Sequence, residues 1–421
     1  MDTQNFHKLN KRYSLFFYNF VPKYWHFHHI IMKIFYIYTA LTTVGGADRV
    51  LIQKANWLAD HGYDITIVTE SQAGKPITFP LSKNVKHVDL GVDFDKEYGH
   101  ILPIRAFIYF KLMREYKKRL QKFIINGKPD FVINTLGREL GILTSMKDSS
   151  IKIGETHTTQ YHLRNFHLME QQGCIYKLIA KYSRKKQISL AKKLKAIVLL
   201  TPQDKEDWQG ITTTYVIPNS IPVYPKEAST LENKRAIVVG RYNDAKGYEY
   251  LIEAWKIVHQ KHPDWTLDIF GSGEMHDNVK MWIEENNLTD TMIMNEPTNN
   301  IMEEYHNSSI CIISSRYEGF SMVMLEAMAS GVPCVSFDCP FGPRNIIRNG
   351  EDGILVEYLN SQALADNICK LIENTALRKE LGAAARINIL RFTQDEVMKK
   401  WTTLFDTIIK KKLTSLLTHL S

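Results

Sequence analysis

The chain has 421 residues, of which 44% are hydrophobic and 23% charged, which excludes disordered, collagen-like and disulfide-scaffold proteins. Its length predicts two domains, each with its own core, and a cleft between them as the natural place for a site. The net charge of +8 is uneven: residues 1–210 carry 32 Lys and Arg against 18 Asp and Glu, whereas residues 211–421 carry 21 against 27. We therefore expect the basic half to face an anionic partner.

Residues 1–31 form a separate segment in which seven aromatic side chains between residues 16 and 27 stand among basic residues and histidines. Two interpretations stay open. The segment is an interfacial membrane anchor, or it is not needed by the fold, because Met32 is a plausible start and residues 33–38 predict the first strand of a domain.

The first half continues as a βαβ unit. The strand over 33–38 is followed by a glycine-containing loop, an amphipathic helix that ends at Gly62 and a strand over 65–68. Further strands are predicted at 131–134, 151–154 and 196–200, with helices between them, which indicates a parallel sheet covered on both faces. The basic stretches 111–122 and 177–195 are predicted helices whose faces are either solvated or in contact with an anionic surface.

A polar segment over 216–232 is the predicted linker, and a second alternation follows it. Strands are predicted at 236–240, 267–270, 291–294, 310–314 and 333–337. Helices are predicted at 247–259, 277–285, 301–305, 321–329, 361–373, 376–390 and 394–411. The sequence thus predicts an α/β protein with two doubly wound parallel-sheet domains. The expected division is 1–31, 32–220, 221–395 and a C-terminal helix, 396–421, that packs back on the first domain.

The five cysteines form no CxxC pair and lie mostly in apolar segments, which predicts small core residues of a reduced compartment. We therefore expect a cytoplasmic protein. The sequence has no apolar run near the roughly 18 residues that a membrane span needs and no signal-peptide pattern. Any membrane contact is expected to be peripheral.

The strongest local signal is the segment 316–333, where a strand ends in a loop containing Glu318 and a helix begins near Ser321. Ligands of doubly wound sheets bind at the carboxyl ends of strands, where helix N-termini present free amides. The amides of residues 320–323 are therefore predicted to bind an anion such as phosphate. Glu318 and Glu326 can each accept hydrogen bonds from a sugar or ribose diol.

Two cations are expected at the neighbouring strand end. Arg241 follows the strand over 236–240 and Lys246 precedes the next helix, so both can converge on one diphosphate. A forked guanidinium and a point ammonium form a phosphate clamp without a metal ion. Their charge would also offset that of the two glutamates.

This constellation resembles the retaining, GT-B fold glycosyltransferases of family 4 (glycosyl transferases group 1), including members that build bacterial surface polysaccharides. The resemblance spans about residues 33–390 and implies two Rossmann-like domains that face a central cleft. The segment Gly45-Gly46-Ala47-Asp48-Arg49 is similar to the family's Gly-Gly-Ala-Glu-Arg loop, with Asp48 where Glu is usual. The other matching motifs are Val239-Gly240-Arg241 with Lys246-Gly247, Phe270-Gly271-Ser272-Gly273-Glu274, the Glu318/Glu326 pair, Ala329-Ser330-Gly331-Val332-Pro333 and Asp352-Gly353-Ile354-Leu355-Val356.

The resemblance also implies roles for single residues. Arg241 and Lys246 would neutralise the diphosphate of a nucleotide sugar, Glu326 would hold the ribose and Glu318 the donor sugar. His157 would lie close to the reacting sugar. Further donor-binding positions are Gly46, Gly240, Pro297, Gly319, Phe320, Ser321, Met322 and Val323. Weaker candidates for the acceptor side are Arg138, His162 and His167.

The resemblance further implies a retaining, metal-independent hexosyltransferase that needs no cofactor and no protein nucleophile. The expected donor is a nucleotide diphosphate sugar such as a UDP-sugar. The expected acceptor is a glycan or a lipid-linked saccharide at the cytoplasmic membrane face, where basic helices contact anionic lipid.

The sequence argues against three other classes of protein and leaves two open. Asp93-Phe94-Asp95 matches the DxD of metal-dependent transferases in letters only, and the GxGxxG of nicotinamide dehydrogenases is not found after the first strand. Nucleic acid is not an expected partner, because cations and aromatics are not interleaved as in a recognisable module. A non-catalytic nucleotide-sugar-binding partner subunit and a GT-B fold epimerase stay open.

Overall fold

The computed structural model describes residues 31–43, 45–170 and 173–420, so the expectations for residues 1–30 lie outside the described residues. Within that part of the chain a first sheet of seven parallel strands is formed. The strands are β1 (Lys33–Tyr38), β2 (Asp64–Thr69), β3 (Lys86–Asp89), β4 (Phe131–Asn134), β5 (Ile151–Glu155), β6 (Ala196–Leu199) and β7 (Thr214–Val216). Their order in the sheet is β3-β2-β1-β4-β5-β6-β7.

A second sheet has six parallel strands in the described residues. They are β8 (Arg235–Val239), β9 (Thr266–Phe270), β10 (Met292–Asn295), β11 (Ile310–Ile313), β12 (Cys334–Phe337) and β13 (Gly353–Val356), in the order β10-β9-β8-β11-β12-β13. The two sheets share one doubly wound order, which reverses between β1 and β4 and between β8 and β11. At these switch points the connections leave in opposite directions and open a crevice for a ligand.

The helices lie on both faces of the two sheets. Those before β8 are α1 (Gly46–Asp60), α2 (Leu102–Gly127), α3 (Leu140–Leu143), α4 (Phe166–Glu170), α5 (Cys174–Ala191) and α6 (Asp204–Asp207). Those after β8 are α7 (Tyr248–Lys261), α8 (His276–Glu285), α9 (Ile301–His306), α10 (Met322–Ala329), α11 (Pro343–Ile346), α12 (Ser361–Glu373), α13 (Thr375–Asn388) and α14 (Gln394–Leu420). Short 3-10 turns occur at Phe94–Glu97, Gln160–Asn165, Asp244–Lys246 and Ile389–Phe392. None of the helices in the described residues combines the length and the hydropathy that a bilayer span requires.

The last helix, α14, packs on the first sheet although it follows the second in sequence. Trp401 and Phe405 are buried among strand residues of β1, β2 and β4. The ring of Phe405 lies 4.9 Å from that of Phe131. The chain therefore crosses between the two sheets twice, once before β8 and once before α14.

The structure adds three strands that the sequence pattern did not predict, β3, β7 and β13. β3 and β7 are short edge strands with few buried side chains, so they carry no apolar run. β13 is buried but has only four residues. The expectation for the cysteines was wrong at Cys174, which is exposed at the start of α5, while the other four are buried.

We predict that Phe405→Ala destabilises the protein by about 3–5 kcal/mol, the usual cost of truncating a buried aromatic side chain. Urea unfolding followed by circular dichroism would measure the change. Leu413→Ala is the matched control, because Leu413 lies on the same helix and is 48% exposed. An equal effect of both substitutions would contradict the packing of α14 on the first sheet.

Candidate active site

The candidate site lies where β8 and β11 end side by side at the switch point of the second sheet. Gly240 and Arg241 directly follow β8, and Lys246 lies in the turn before α7. Glu318 lies in the loop between β11 and α10. The predicted phosphate-binding and sugar-binding side chains are therefore brought to one edge of the sheet.

Glu318 and Lys246 form an ion pair, with Nζ and Oε1 2.7 Å apart. Ser315 donates a second hydrogen bond to the same oxygen, also at 2.7 Å. The side chain of Lys246 reaches Glu318 by passing over Gly240, where a Cβ atom would lie 2.9 Å from Lys246 Cε. A larger residue after β8 would displace the lysine side chain from this path.

Arg241 is exposed beside this pair. Within the described residues its guanidinium makes no hydrogen bond or ion pair. It lies close to Tyr317, whose pKa is raised by burial and by Asp244, while the charge of Arg241 acts in the opposite direction. Arg241 is therefore a cation at the mouth of the site that is available to a ligand.

Glu326 is buried in α10, where its carboxylate meets a cation from the other domain. Arg49 of α1 donates to Oε1 at 2.7 Å, and the Tyr305 hydroxyl donates to Oε2 at 3.2 Å. Burial raises the pKa of Glu326, and Arg49 and Tyr305 oppose the rise. A buried carboxylate without such partners would be strongly destabilising.

Arg49 and Tyr305 are not among the site residues predicted from the sequence. Arg49 belongs to the glycine-rich motif over residues 45–49, and this motif is the sequence feature that could have identified it as a site residue. Tyr305 lies on the short helix α9 within a largely polar stretch that has no recognisable motif, so nothing in the local sequence marks it as a partner of Glu326.

The loops of the first domain close the site from the opposite side. A Cβ atom on Gly46 would lie 3.0 Å from Met322 Cγ, and one on Gly319 would lie 3.0 Å from the His157 carbonyl oxygen. Both glycines therefore allow a close approach between the domains. Asp48 helps to shape the first loop, because its carboxylate accepts hydrogen bonds from Tyr38 and from Thr43.

His157 follows β5 and is held next to a buried ion pair. Neither ring nitrogen makes a hydrogen bond, and Nε2 lies 3.8 Å from Glu155 Oε1. Glu155 is bound by Lys54, and the ring of Trp401 covers the Lys54 ammonium at 4.2 Å. Burial lowers the pKa of His157, so we expect a neutral imidazole at pH 7.

Of the remaining residues that the sequence predicts to bind the donor, four lie at the start of α10 and one lies apart from the site. Phe320 and Ser321 are buried and Met322 and Val323 half-buried at the start of α10, whose first amides have no partner within the helix. Pro297 is exposed in the loop after β10 and joins none of these contacts.

The acceptor-side candidates lie in two places in the first domain. His162 stacks on Tyr317 with ring centroids 3.7 Å apart, and His167 lies against the same pair. Burial lowers the pKa of His162 to about 4. Arg138 lies elsewhere, 3.7 Å from the buried Glu70, whose pKa burial raises to about 7.

No cluster of three or more His, Cys, Asp or Glu side chains in the described residues could hold a metal ion. The charges at the cleft are instead organised as carboxylate–cation pairs with one further arginine. Such an arrangement can bind a diphosphate between cations and a sugar between carboxylates.

Residues 224–388 match the family model of glycosyl transferases group 1. The second domain is therefore similar to a group 1 glycosyltransferase domain, and the two facing Rossmann-like domains have the GT-B fold. The chain is 28% identical to an uncharacterized glycosyltransferase of Haemophilus influenzae over 88% of this chain and 98% of the relative. It is 24% identical to the amylovoran biosynthesis glycosyltransferase AmsD of Erwinia amylovora, again over 88% and 98%.

A solved structure with a similar fold is that of a Staphylococcus aureus TarM variant in complex with fondaparinux, alpha-GlcNAc-glycerol and UDP. The TM-score is 0.72 at 17% identity, and the match covers 89% of this chain and 99% of that one.

We predict that Arg49→Met destabilises the protein by about 3 kcal/mol, because it leaves the carboxylate of Glu326 buried without its cation. The pKa of Glu326 would rise further, so the deficit is largest at neutral pH and shrinks as the pH falls through the raised value. Thermal unfolding between pH 4 and 8 would measure it.

Two further variants test the cause of that loss. Arg348→Met is the control, since Arg348 is exposed and its partner Glu351 is exposed as well. The double variant Arg49→Met/Glu326→Gln should recover part of the stability. A pH-independent deficit that the double variant does not relieve would argue against the pairing.

Proposed function

We propose that the protein transfers a hexosyl residue from a UDP-sugar to a lipid-linked or polysaccharide acceptor in surface polysaccharide synthesis, with retention of configuration and without a metal ion. The observation that carries the proposal is the ion pair of Lys246 with Glu318 beside the free guanidinium of Arg241. The UDP bound in the TarM complex and the role in amylovoran synthesis named for AmsD support the donor and the product class.

In this proposal residues 32–220 form the acceptor side, residues 221–395 bind the donor, and residues 396–421 form the returning helix. Arg241 and Lys246 hold the two phosphates, with the first amides of α10 adding a partial positive charge. Glu318 and Glu326 accept hydrogen bonds from the donor sugar and the ribose. The ribose competes with Arg49 for Glu326, so binding of the donor would release a cation near the phosphates.

The proposed reaction needs no protein nucleophile. The acceptor oxygen attacks the anomeric carbon on the face from which the diphosphate leaves, and the bond between that carbon and the phosphate oxygen breaks. The leaving phosphate keeps the electron pair and takes the acceptor proton. The protein contributes charge stabilisation of the diphosphate and positioning of the two substrates. His157, neutral and adjacent to the Gly319 loop, would orient the reacting sugar.

The proposed place of action is the cytoplasmic face of the membrane, where the protein would be attached peripherally. The excess of cations in the first 210 residues supports this proposal.

We predict that Arg241→Ala or Lys246→Ala lowers transfer by about two to three orders of magnitude, the usual effect of losing one charge-stabilising donor. Radiolabelled sugar transfer to a membrane fraction or to soluble glycan acceptors would measure it. Arg348→Ala and Lys280→Ala are matched controls, because both residues are exposed in the second domain and pair only with side chains near them in sequence or on the surface. Full activity in both site variants would contradict the assigned roles.

We further predict that one of UDP, GDP and ADP binds with the same affinity in EDTA and in magnesium. Isothermal titration would measure the affinity and would identify the base. Binding should be lost in Arg241→Ala and Glu326→Ala, since one removes a phosphate contact and the other the ribose contact. Absence of binding by the folded protein would favour a non-catalytic partner subunit.

A further inference from the structure

The first three turns of α2 carry large apolar side chains that face solvent. Phe107 and Phe110 are each 71% exposed, and Ile104 is 48% exposed. Just before the helix, Ile101 is 69% exposed. Isolated exposed apolar residues are common on proteins, but a contiguous group of this size marks a contact with a partner or a membrane.

The first turns of α5 have the same character. Leu178 and Tyr182 are 70% and 69% exposed, and Ile179 lies beside them at 42%. Among the described residues, ten of the nineteen large apolar side chains that are exposed lie between residues 98 and 182. The exposed apolar surface is therefore concentrated on one part of the first domain.

The topology places the two helices side by side. α2 connects β3 to β4 and α5 connects β5 to β6, so both run antiparallel to the strands and begin at the carboxyl edge of the sheet. The short helix α3 contacts both of them. The exposed apolar turns of the two helices thus lie at the same level of the domain.

That level is the edge of the sheet that faces the cleft. The fully buried residues of α2 are Tyr116, Leu120 and Ile124, all in its second half, whereas Tyr109, Leu112 and Met113 in the first half are only partly buried against the same core. The helix has 26 residues, about 39 Å, and β1 has only six, so its first half extends beyond the carboxyl edge. His157 follows β5 at this same edge.

Cations follow the apolar turns along each helix. In α2 the exposed Arg119 pairs with Glu115, and the other exposed basic residues that follow Phe110 are Lys111, Arg114, Lys117, Lys118 and Lys122. In α5 the exposed basic residues beyond Leu178 are Lys181, Lys185 and Lys186. In the described part of the chain none of these eight cations forms an ion pair.

We infer that the first domain docks on an anionic lipid bilayer through the apolar first turns of α2 and α5. The apolar side chains enter the boundary between headgroups and acyl chains, which amphipathic helices reach to about 5–10 Å. The lysines and arginines of the following turns then lie at the level of the anionic headgroups, where each adds attraction. The mouth of the cleft faces the bilayer surface.

Along each helix the apolar side chains come first and the cations follow. This order favours a lipid bilayer over other binding partners. A second copy of this chain would bring two sets of like charges together, which is unfavourable. A nucleic acid would use the cations but would leave the apolar turns exposed to water. A bilayer accommodates both the apolar side chains and the cations, because its acyl-chain layer lies below its anionic headgroups.

This inference deepens the proposed function, on which it rests only for the nature of the acceptor. A saccharide on a membrane lipid would reach the cleft without leaving the bilayer. The nucleotide would enter the second domain from the aqueous side, since Arg241 and Lys246 are carried by the other sheet.

Vesicle flotation of the full chain tests the inference, with phosphatidylcholine vesicles compared with vesicles that also contain the anionic lipid phosphatidylglycerol. We expect binding to the anionic vesicles, lowered at least tenfold in Phe107→Ser/Phe110→Ser and in Leu178→Ser/Tyr182→Ser. Met281→Ser/Ile387→Ser is the matched control, because these side chains are 45% and 68% exposed in the second domain and should not matter.

The cations are tested by Lys117→Gln and Lys118→Gln, each expected to lower binding about fivefold. Lys226→Gln and Lys370→Gln are the controls, since both residues are exposed outside the patch. A fluorophore on Cys174 gives an independent readout, because this cysteine is exposed at the start of α5 and the other four are buried. Its emission should shift to shorter wavelength with anionic vesicles.

Several results would overturn the inference. One is that the unaltered chain does not bind anionic vesicles, and another is that the serine variants bind them as well as the unaltered chain does. A third is that light scattering shows a dimer which the serine substitutions dissociate. UDP titration on the same preparations separates this inference from the proposed function. Serine variants that bind UDP normally but not vesicles support the docking surface, whereas vesicle binding without UDP binding leaves it standing and contradicts the proposed donor.

Discussion

Two carboxylates in a cleft that we propose to bind a diphosphate would repel the ligand and one another unless each has its own cation. Glu318 is paired with Lys246 of the same domain, and Glu326 is paired with Arg49 of the other. The second pair holds α1 against α10, so the electrostatic requirement of the site also joins the domains. The close approaches at Gly46 and Gly319 lie along the same contact.

The alternation of apolar runs and helical stretches was sufficient to predict two doubly wound parallel sheets, and the fold confirms that prediction. The strands that were missed are short and lie at sheet edges, and two of them, β3 and β7, have no buried side chains that would require an apolar pattern. Local sequence also marked Lys246 and Glu318, because each lies in the loop between a strand and the helix that follows it. The partner of Glu326 could not be predicted in this way, since Arg49 lies 277 residues away and the contact forms only when both domains are folded.

The sequence identifies the site residues of the second domain more clearly than those of the first. The family match covers residues 224–388, which hold Arg241, Lys246 and both glutamates. A diphosphate and a ribose present the same groups whatever sugar they carry, so few side-chain arrangements suit them. The acceptor that we propose for the first domain is more varied in chemistry, and residues of this domain near the cleft, such as His162 and Arg138, are held by contacts that no short motif describes.

The double crossing of the chain has a mechanical consequence. The two connecting segments are bonded to each other, as the Ile221 amide donates to the Phe392 carbonyl oxygen at 2.8 Å. Both are also tied to Gln53, which donates to the Pro222 carbonyl oxygen and accepts from Gln394. Two adjacent connecting segments resist twisting far more than a single linker does. We therefore expect the domains to move relative to each other mainly by hinge bending about one short axis at these segments. This bending would open and close the cleft.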